Sequence, residues 1–367
     1  MPSRTTPQSS SDLRALRLRN QRISQSDCRT AQSVVSCLGA VQSQEFTLAK
    51  WGLGLRGNGL TEAAIDREFD DGRILRTHIL RPTWHFVAPA DIRWMLAVSG
   101  PRVHAANAHY YQKTGADPSY LSRSRKVMER ALAGGNALTR TELAERFARS
   151  GITAAGMLLA YLVMHAELEG VICSGPRRAK QFTYMLLEER VPRAKKLTRD
   201  EALAELVRRY FTSHGPATIQ DFCWWSGMTV RDTKVALGSI ASEVVRETIG
   251  GESYWMMPSA APTPRQSDTV DLLPIYDEYL ISYKDRTAMQ DPLKPGEKRV
   301  DDDYGSFLMI DGKLAGRWRR IEGKSSIDVA VTPYRKLTRS QQRGLAATVK
   351  RFSEFAGRNA TLLTPKS

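Results

Sequence analysis

"TELAERFARSGIT" (residues 141–153) and "ATIQDFCWWSGMT" (residues 217–229) are one pattern written twice, 76 residues apart. At that offset Leu143 meets Ile219 and Phe147 meets Cys223. Ser150-Gly151-Ile152-Thr153 meets Ser226-Gly227-Met228-Thr229. In each copy a short amphipathic helix runs into a glycine turn followed by a hydroxyl residue that can cap the next helix. "RSRKVMERALAGG" and "TRDEALAELVRRYFTSHG" precede the two copies as helices. "AAGMLLAYLVMHAELEG" and "RDTKVALGSIAS" follow them as helices. "VICSGPRRAKQFTYMLL" and "VVRETIGGESYWMMP" then close each unit with β-like segments. Helix, helix–turn–helix and hairpin is the order of a winged helix, in which the helix after the turn can enter a DNA groove and the wing can touch backbone. Such modules also serve purely as protein contacts.

Upstream, "CRTAQSVVSCLGAVQ" has Val34, Val35, Leu38 and Val41 on one helical face. "TLAKWGLGLRG" and "TEAAIDREFDDG" read as the next helices, the second with Thr61 as N-cap. At "RILRTHILRPTWHFVAP" the period changes to that of a hairpin. Helices resume at "ADIRWMLAVSG" and "RVHAANAHYYQKTG". "SAAPTPRQSD" reads as a linker. Beyond it, short strands around a tight "DGK" turn and a closing helix, "LTRSQQRGLAATVKRFSEFAG", suggest a small β-barrel or sheet capped by a helix. The fold class is thus α+β, mainly α.

The charge points to a polyanion. The chain of 367 residues carries a formal net charge of +15. Lys313 to Arg351 holds eleven basic residues against only Glu322 and Asp328, and the arm through Arg22 has five Arg and one Asp. Both ends therefore suit phosphate contact. The four cysteines, Cys28, Cys37, Cys173 and Cys223, form no CxxC pair, and His78 and His85 lack partners at ligand spacing, so neither a metal nor a cofactor is expected. No run approaches a membrane span, and the polar start "MPSRTTPQSSSD" has no apolar signal core. A cytoplasmic monomer is the expectation.

"LGAVQSQE" (residues 38–45) ends an apolar segment on two amides and a carboxylate. By spacing alone it is a solvated helix end. Together with "AKWGLGLR", "LRTHILRPTWHFVAPADIRWML", "LEGVICSGPRRAKQFTYMLL" and "LLPIYDEYLISYKDR" it resembles the AlkZ-like DNA glycosylases over about residues 11 to 358. The resemblance implies three tandem winged helices in a C shape around a basic channel, with a β-barrel-like module at the C-terminus. The units would be residues 1–115, 116–195, 196–260 and 261–367. It implies excision of N7-alkylated guanine from double-stranded DNA, and in some members the unhooking of interstrand crosslinks. The family's Gln-aliphatic-Gln motif falls on Gln42 and Gln44, with Ser43 in place of the usual aliphatic residue. A related branch has Asp where Gln44 stands.

Two amides suit that chemistry. N7 alkylation makes guanine cationic, so it leaves neutral and needs no acid. What remains is an oxocarbenium-like sugar that water must capture. A Gln carbonyl can orient the water, and a Gln amide can donate to a sugar or phosphate oxygen. Glu45 is an adjacent candidate base, though neighbouring residues point apart. His85 is a candidate support. Lys50 raises the question of Schiff-base lyase chemistry, with a solvated lysine as the plainer reading. Arg81, Trp84, Arg177, Arg178, Lys180, Arg317, Arg319 and Arg320 are the candidate DNA contacts, Trp84 by stacking and the others on backbone. The acids of "DEYLISYKDR" read instead as an internal ion-pair network. The competing functions are a non-catalytic winged-helix regulator and a protein-contact scaffold.

Overall fold

The computed structural model describes residues 9–191, 196–258, 267–291 and 304–363. The linker read at 259–268 and the polar start therefore lie largely outside the described residues. After α1 (Ser10–Asn20) the chain runs α2 (Ala31–Leu38), β1 (Ala40–Gln42), α3 (Phe46–Arg56), α4 (Glu62–Asp70), β2 (Leu75–Ile79) and β3 (Arg81–Val87). The long α5 (Pro89–Thr114) leads to α6 (Pro118–Leu132), β4 (Leu138–Thr139), α7 (Arg140–Arg149), α8 (Gly156–Leu168), β5 (Ile172–Ser174), β6 (Thr183–Leu186) and α9 (Leu187–Arg190). Next come α10 (Arg199–Ser213), α11 (Ile219–Ser226), α12 (Val230–Ser239), β7 (Val245–Ile249) and β8 (Glu252–Met256). The last part holds β9 (Val270–Leu273), α13 (Glu278–Ile281), β10 (Phe307–Ile310), β11 (Lys313–Glu322), β12 (Ile327–Pro333), α14 (Arg339–Ala356) and β13 (Ala360–Leu363). No described helix is long and apolar enough to cross a membrane.

One topology recurs. Helix, strand, helix, helix and two strands follow in order, and the first strand pairs with the last. The first two copies make sheets β1-β3-β2 and β4-β6-β5. In the third, the isolated bridge Ala217↔Trp255 takes the place of the first strand beside the β7–β8 hairpin. The repeat seen in the sequence has a shared physical cause. Thr139 and Thr218 each make a capping box with the acid three residues on, and Gly151 and Gly227 each leave the helix at positive φ (70° and 72°).

Three readings need correction. The segment 28–42 is not all helix: Gly39 (φ 84°) ends α2 after Leu38, and Ala40–Gln42 is a strand. The two helices read at 90–115 are one, α5, which carries Pro101 inside it. The last module is an open, curled sheet in the order β13-β12-β11-β10-β9, whose outer strands do not pair with each other, rather than a closed barrel.

The last module is joined to the first by packing. Trp51 of α3 lies edge-on to Phe352 and Phe355 of α14, and its indole donates to the Leu272 carbonyl (2.7 Å). A Cβ at Gly54 would lie 2.4 Å from the Phe355 ring, so only glycine allows this approach. Arg56 makes a bidentate ion pair with Asp277 (2.7 and 2.8 Å), both buried. "AKWGLGLR" and "PIYDEYL" are thus two halves of one joint.

Candidate active site

The strand β1 brings the amides to the hairpin. It pairs antiparallel with β3 in the register Ala40↔Val87, Val41↔Phe86 and Gln42↔His85. Side chains alternate across a strand. Phe86 packs with Phe46 (5.6 Å), which also meets Phe69 (5.3 Å) and Phe182 (5.0 Å). Gln42 and His85 share the other face. Arg81 lies on that face too, its Nη2 3.4 Å from Gln42 Oε1.

The Gln42 backbone is held from far away in the chain. Its N–H donates to Glu278 Oε1 (2.7 Å), 236 residues distant. Glu278 is fully buried and also accepts from the Trp225 indole (3.0 Å) and the Ser282 hydroxyl (2.6 Å) on Oε2, with His214 Nε2 3.6 Å away. Burial alone would raise its carboxyl. The nearby His214 ring and then the hydrogen bond from Ser282 overcome that and hold it at about 2. Burial keeps His214 below the usual imidazole range, so the carboxylate is the charged partner.

Gln44 and Glu45 are exposed, and Ser43 between the amides is fully buried. The Ser43 N–H donates to the Trp84 carbonyl (2.7 Å), and the Ser43 carbonyl accepts from Arg76 Nε (3.1 Å). Its hydroxyl has no hydrogen-bond partner. Ser43 thus occupies an inward seat where an aliphatic side chain would sit. Gln44 Oε1 lies 3.4 Å from the Trp84 N–H. Glu45 is the exposed N-cap of α3 and makes no side-chain cap bond.

The other candidates sort by their partners. His85 is fully buried, its Nδ1 2.9 Å from the Thr83 carbonyl and its Nε2 unpartnered. Burial and then Arg81 push its imidazole down to about 3, so it is neutral at physiological pH. The Trp84 ring is on the opposite face from Gln42, with Arg76 over it at 4.3 Å and His78 at 4.4 Å. Arg76 is itself against Phe182 (4.5 Å), and burial lowers it to about 10, still protonated at neutral pH. Sequence reasoning missed Arg76 and the tie from Glu278 to Gln42. Nothing in local spacing signals either contact.

Lys50 is no solvated lysine. It is 4% exposed and ion-paired to Glu62 (3.0 Å) and Asp66 (2.9 Å). Arg177 leans on Phe46 (4.8 Å) and faces Asp66 (3.5 Å). Arg178 is committed to Glu142 (2.7 and 2.8 Å). Arg320 is a buried strut between Glu62 (3.4 Å) and Glu322 (2.6 Å), and Arg17 of the N-terminal arm is buried against the Tyr283 ring (3.8 Å). Neither is placed for a phosphate. Arg317 covers Phe307 (4.1 Å) and donates to the Tyr334 hydroxyl (3.1 Å). Lys180 and Arg319 are exposed. Alternation along β11 does put Arg317 and Arg319 on one face, with Trp318 buried on the other.

The amide pair thus sits on a strand and the loop after it, with the buried Glu278 anion behind the strand. The family described as DNA glycosylase AlkZ-like matches residues 35–355. The chain belongs to the AlkZ-like DNA glycosylase family. It is therefore an enzyme of the DNA glycosylase class. An interstrand DNA cross-link repair glycosylase of Streptomyces sahachiroi is 23% identical over 329 residues, covering 83% of this chain and 85% of that protein. The solved structure of Streptomyces sahachiroi DNA glycosylase AlkZ superposes with a TM-score of 0.78 over 98% of this chain and 100% of its own, at 19% identity. At that identity the likeness establishes the AlkZ-like fold.

Proposed function

We propose that this AlkZ-like enzyme is a monofunctional glycosylase for cationic N7-alkylguanine in duplex DNA, acting on interstrand crosslinks as well as single adducts. The observation that carries this reading is the chemistry of the site. Gln42 and Gln44 each meet the hairpin through a side-chain oxygen, Glu45 is exposed without a cap bond, His85 is neutral, and Lys50 is tied into ion pairs. Among the described residues no carboxylate bonds either amide side chain and Lys50 is paired, so activation of water is modest, and a leaving group that is already positive is the substrate that needs least. Gln42 orients water, Gln44 donates to the sugar or its phosphate, and Arg81 binds a flanking phosphate. Lys180, Arg317 and Arg319 contact backbone.

In this reading the three recurring units are winged helices around a basic channel, divided near residues 115, 195 and 260, with the curled sheet as the fourth module. The enzyme works as a monomer in the cytoplasm on DNA. Its test is a pair of duplexes, one with a single N7-methylguanine and one with neutral 7-deaza-7-methylguanine at the same place. Release of the cationic base alone supports the reading. Equal release of both, or tight sequence-selective binding without release, overturns it, and the latter outcome favours a regulator.

A further inference from the structure

α5 and α8 cross where three potential metal ligands meet. His104 comes from α5. His165 and Glu169 come from the last turn of α8 and its C-cap, four residues apart and so on one face. One ligand atom from each lies within 4.8 Å of the others. His104 Nε2 is 3.0 Å from Glu169 Oε1, yet that nitrogen is buried and makes no hydrogen bond. The two groups are close without pointing at each other. Ligands that converge on a third atom look like this: around a tetrahedral ion at ~2.0–2.1 Å, neighbouring donors sit about 3.3 Å apart.

The surroundings suit an ion. His104 Nδ1 is 2.9 Å from the Tyr111 hydroxyl, which fixes the ring; with the proton on Nδ1, the Nε2 lone pair is open to a metal. Arg125, the cation near His165, pairs with Glu129 (2.8 Å). A cleft of about 500 Å³, bordered by His104 and Glu169, gives a path in. Two imidazoles and a carboxylate match zinc-class ions rather than magnesium or calcium.

We propose that His104, His165 and Glu169 bind one zinc-class divalent cation that clamps α5 to α8. α8 also carries Glu167, which bonds His78 of the hairpin, so the clamp fixes the second unit against the strands beside the amide motif. The sequence reading passed over it because His104 lies far from the His165/Glu169 pair in the chain.

The test uses tag-free full-length protein stripped with chelator and titrated with Co²⁺, then with Zn²⁺ in competition. One equivalent of Co²⁺ giving visible d–d bands, displaced by Zn²⁺, with a Zn²⁺-dependent rise in Tm, is the expected result. His165→Gln and His104→Gln abolish both signals, and His109→Gln, at an exposed histidine, keeps them. Tyr111→Phe weakens binding about 10–100-fold through the lost ring contact. Circular dichroism checks each fold, and the exposed ligand variant Glu169→Gln serves if a histidine variant does not fold. No Co²⁺ spectrum in the wild type, or binding that survives these substitutions, overturns the proposal. Neither readout depends on glycosylase activity.

Discussion

Glu278→Gln separates positioning of the amide motif from DNA binding. Glu278 Oε1 takes the Gln42 N–H, and Oε2 takes the Trp225 indole and the Ser282 hydroxyl. A carboxamide has one acceptor oxygen. Turned toward Trp225 and Ser282 it keeps two bonds and presents its NH2 to the Gln42 N–H. A buried donor left without an acceptor costs ~1–3 kcal/mol, and that strain falls on the end of β1. A shift of ~1 Å at a catalytic group can cost about 10²-fold in rate. The expected result is kcat lower by about 10²-fold in single-turnover base release, with duplex affinity unchanged because residue 278 is fully buried.

The charge adds a pH signature. Because the folded pKa is depressed to about 2, its stabilisation is full above the unfolded carboxylate value of ~4.3 and is lost as pH falls toward about 2. The variant lacks that part of the acid-side loss in urea melts. Adding Trp225→Phe removes the competing donor, frees the amide oxygen for Gln42 and restores part of kcat. Unchanged kcat in the single variant, or equal losses in kcat and DNA affinity, refutes the reasoning.

Lys50→Met removes a buried cation between Glu62 and Asp66, which keep Arg320 and Arg177, and destabilises by ~1–3 kcal/mol in urea melts, and borohydride traps no enzyme–DNA adduct with either protein. Arg319→Ala weakens binding uniformly across sequences and reduces the salt slope by about 1 in fluorescence anisotropy, whereas Arg320→Ala chiefly lowers Tm. His85, neutral because burial depresses it to about 3, contributes stability that is full above the unfolded value of ~6.5 and lost as pH falls toward about 3. An NMR titration of His85 therefore shows no protonation near neutrality, and kcat shows no inflection from it there.

Local signals were legible where local physics decides. Thr61, Thr139 and Thr218 cap helices, and the "DGK" turn holds Asp311 and Gly312 at positive φ. The hairpin with Arg317 and Arg319 on one face follows from period two alone. Ala40–Gln42 was misread because three residues after a helix carry no period of their own, and pairing with β3 decides their state. Arg320, Arg177 and Arg178 looked like phosphate contacts because a sequence shows charge without its partners. Apart from Glu322 beside Arg320, their acids, Glu62, Asp66 and Glu142, lie far off in the chain. Glu278 was legible as part of an internal network, but its bond to the Gln42 backbone was not, since only the fold brings residues that distant together.

The most direct test of the central claim is single-turnover release of N7-methylguanine from duplex DNA by the wild type, Gln42→Ala, Gln44→Ala and the double variant, with alkaline cleavage reporting abasic sites. The account predicts release by the wild type, a large loss in each single variant, little further loss in the double, and unchanged duplex affinity. Release that persists in the double variant, or that disappears instead in Glu45→Ala, would contradict it and place the chemistry on another group.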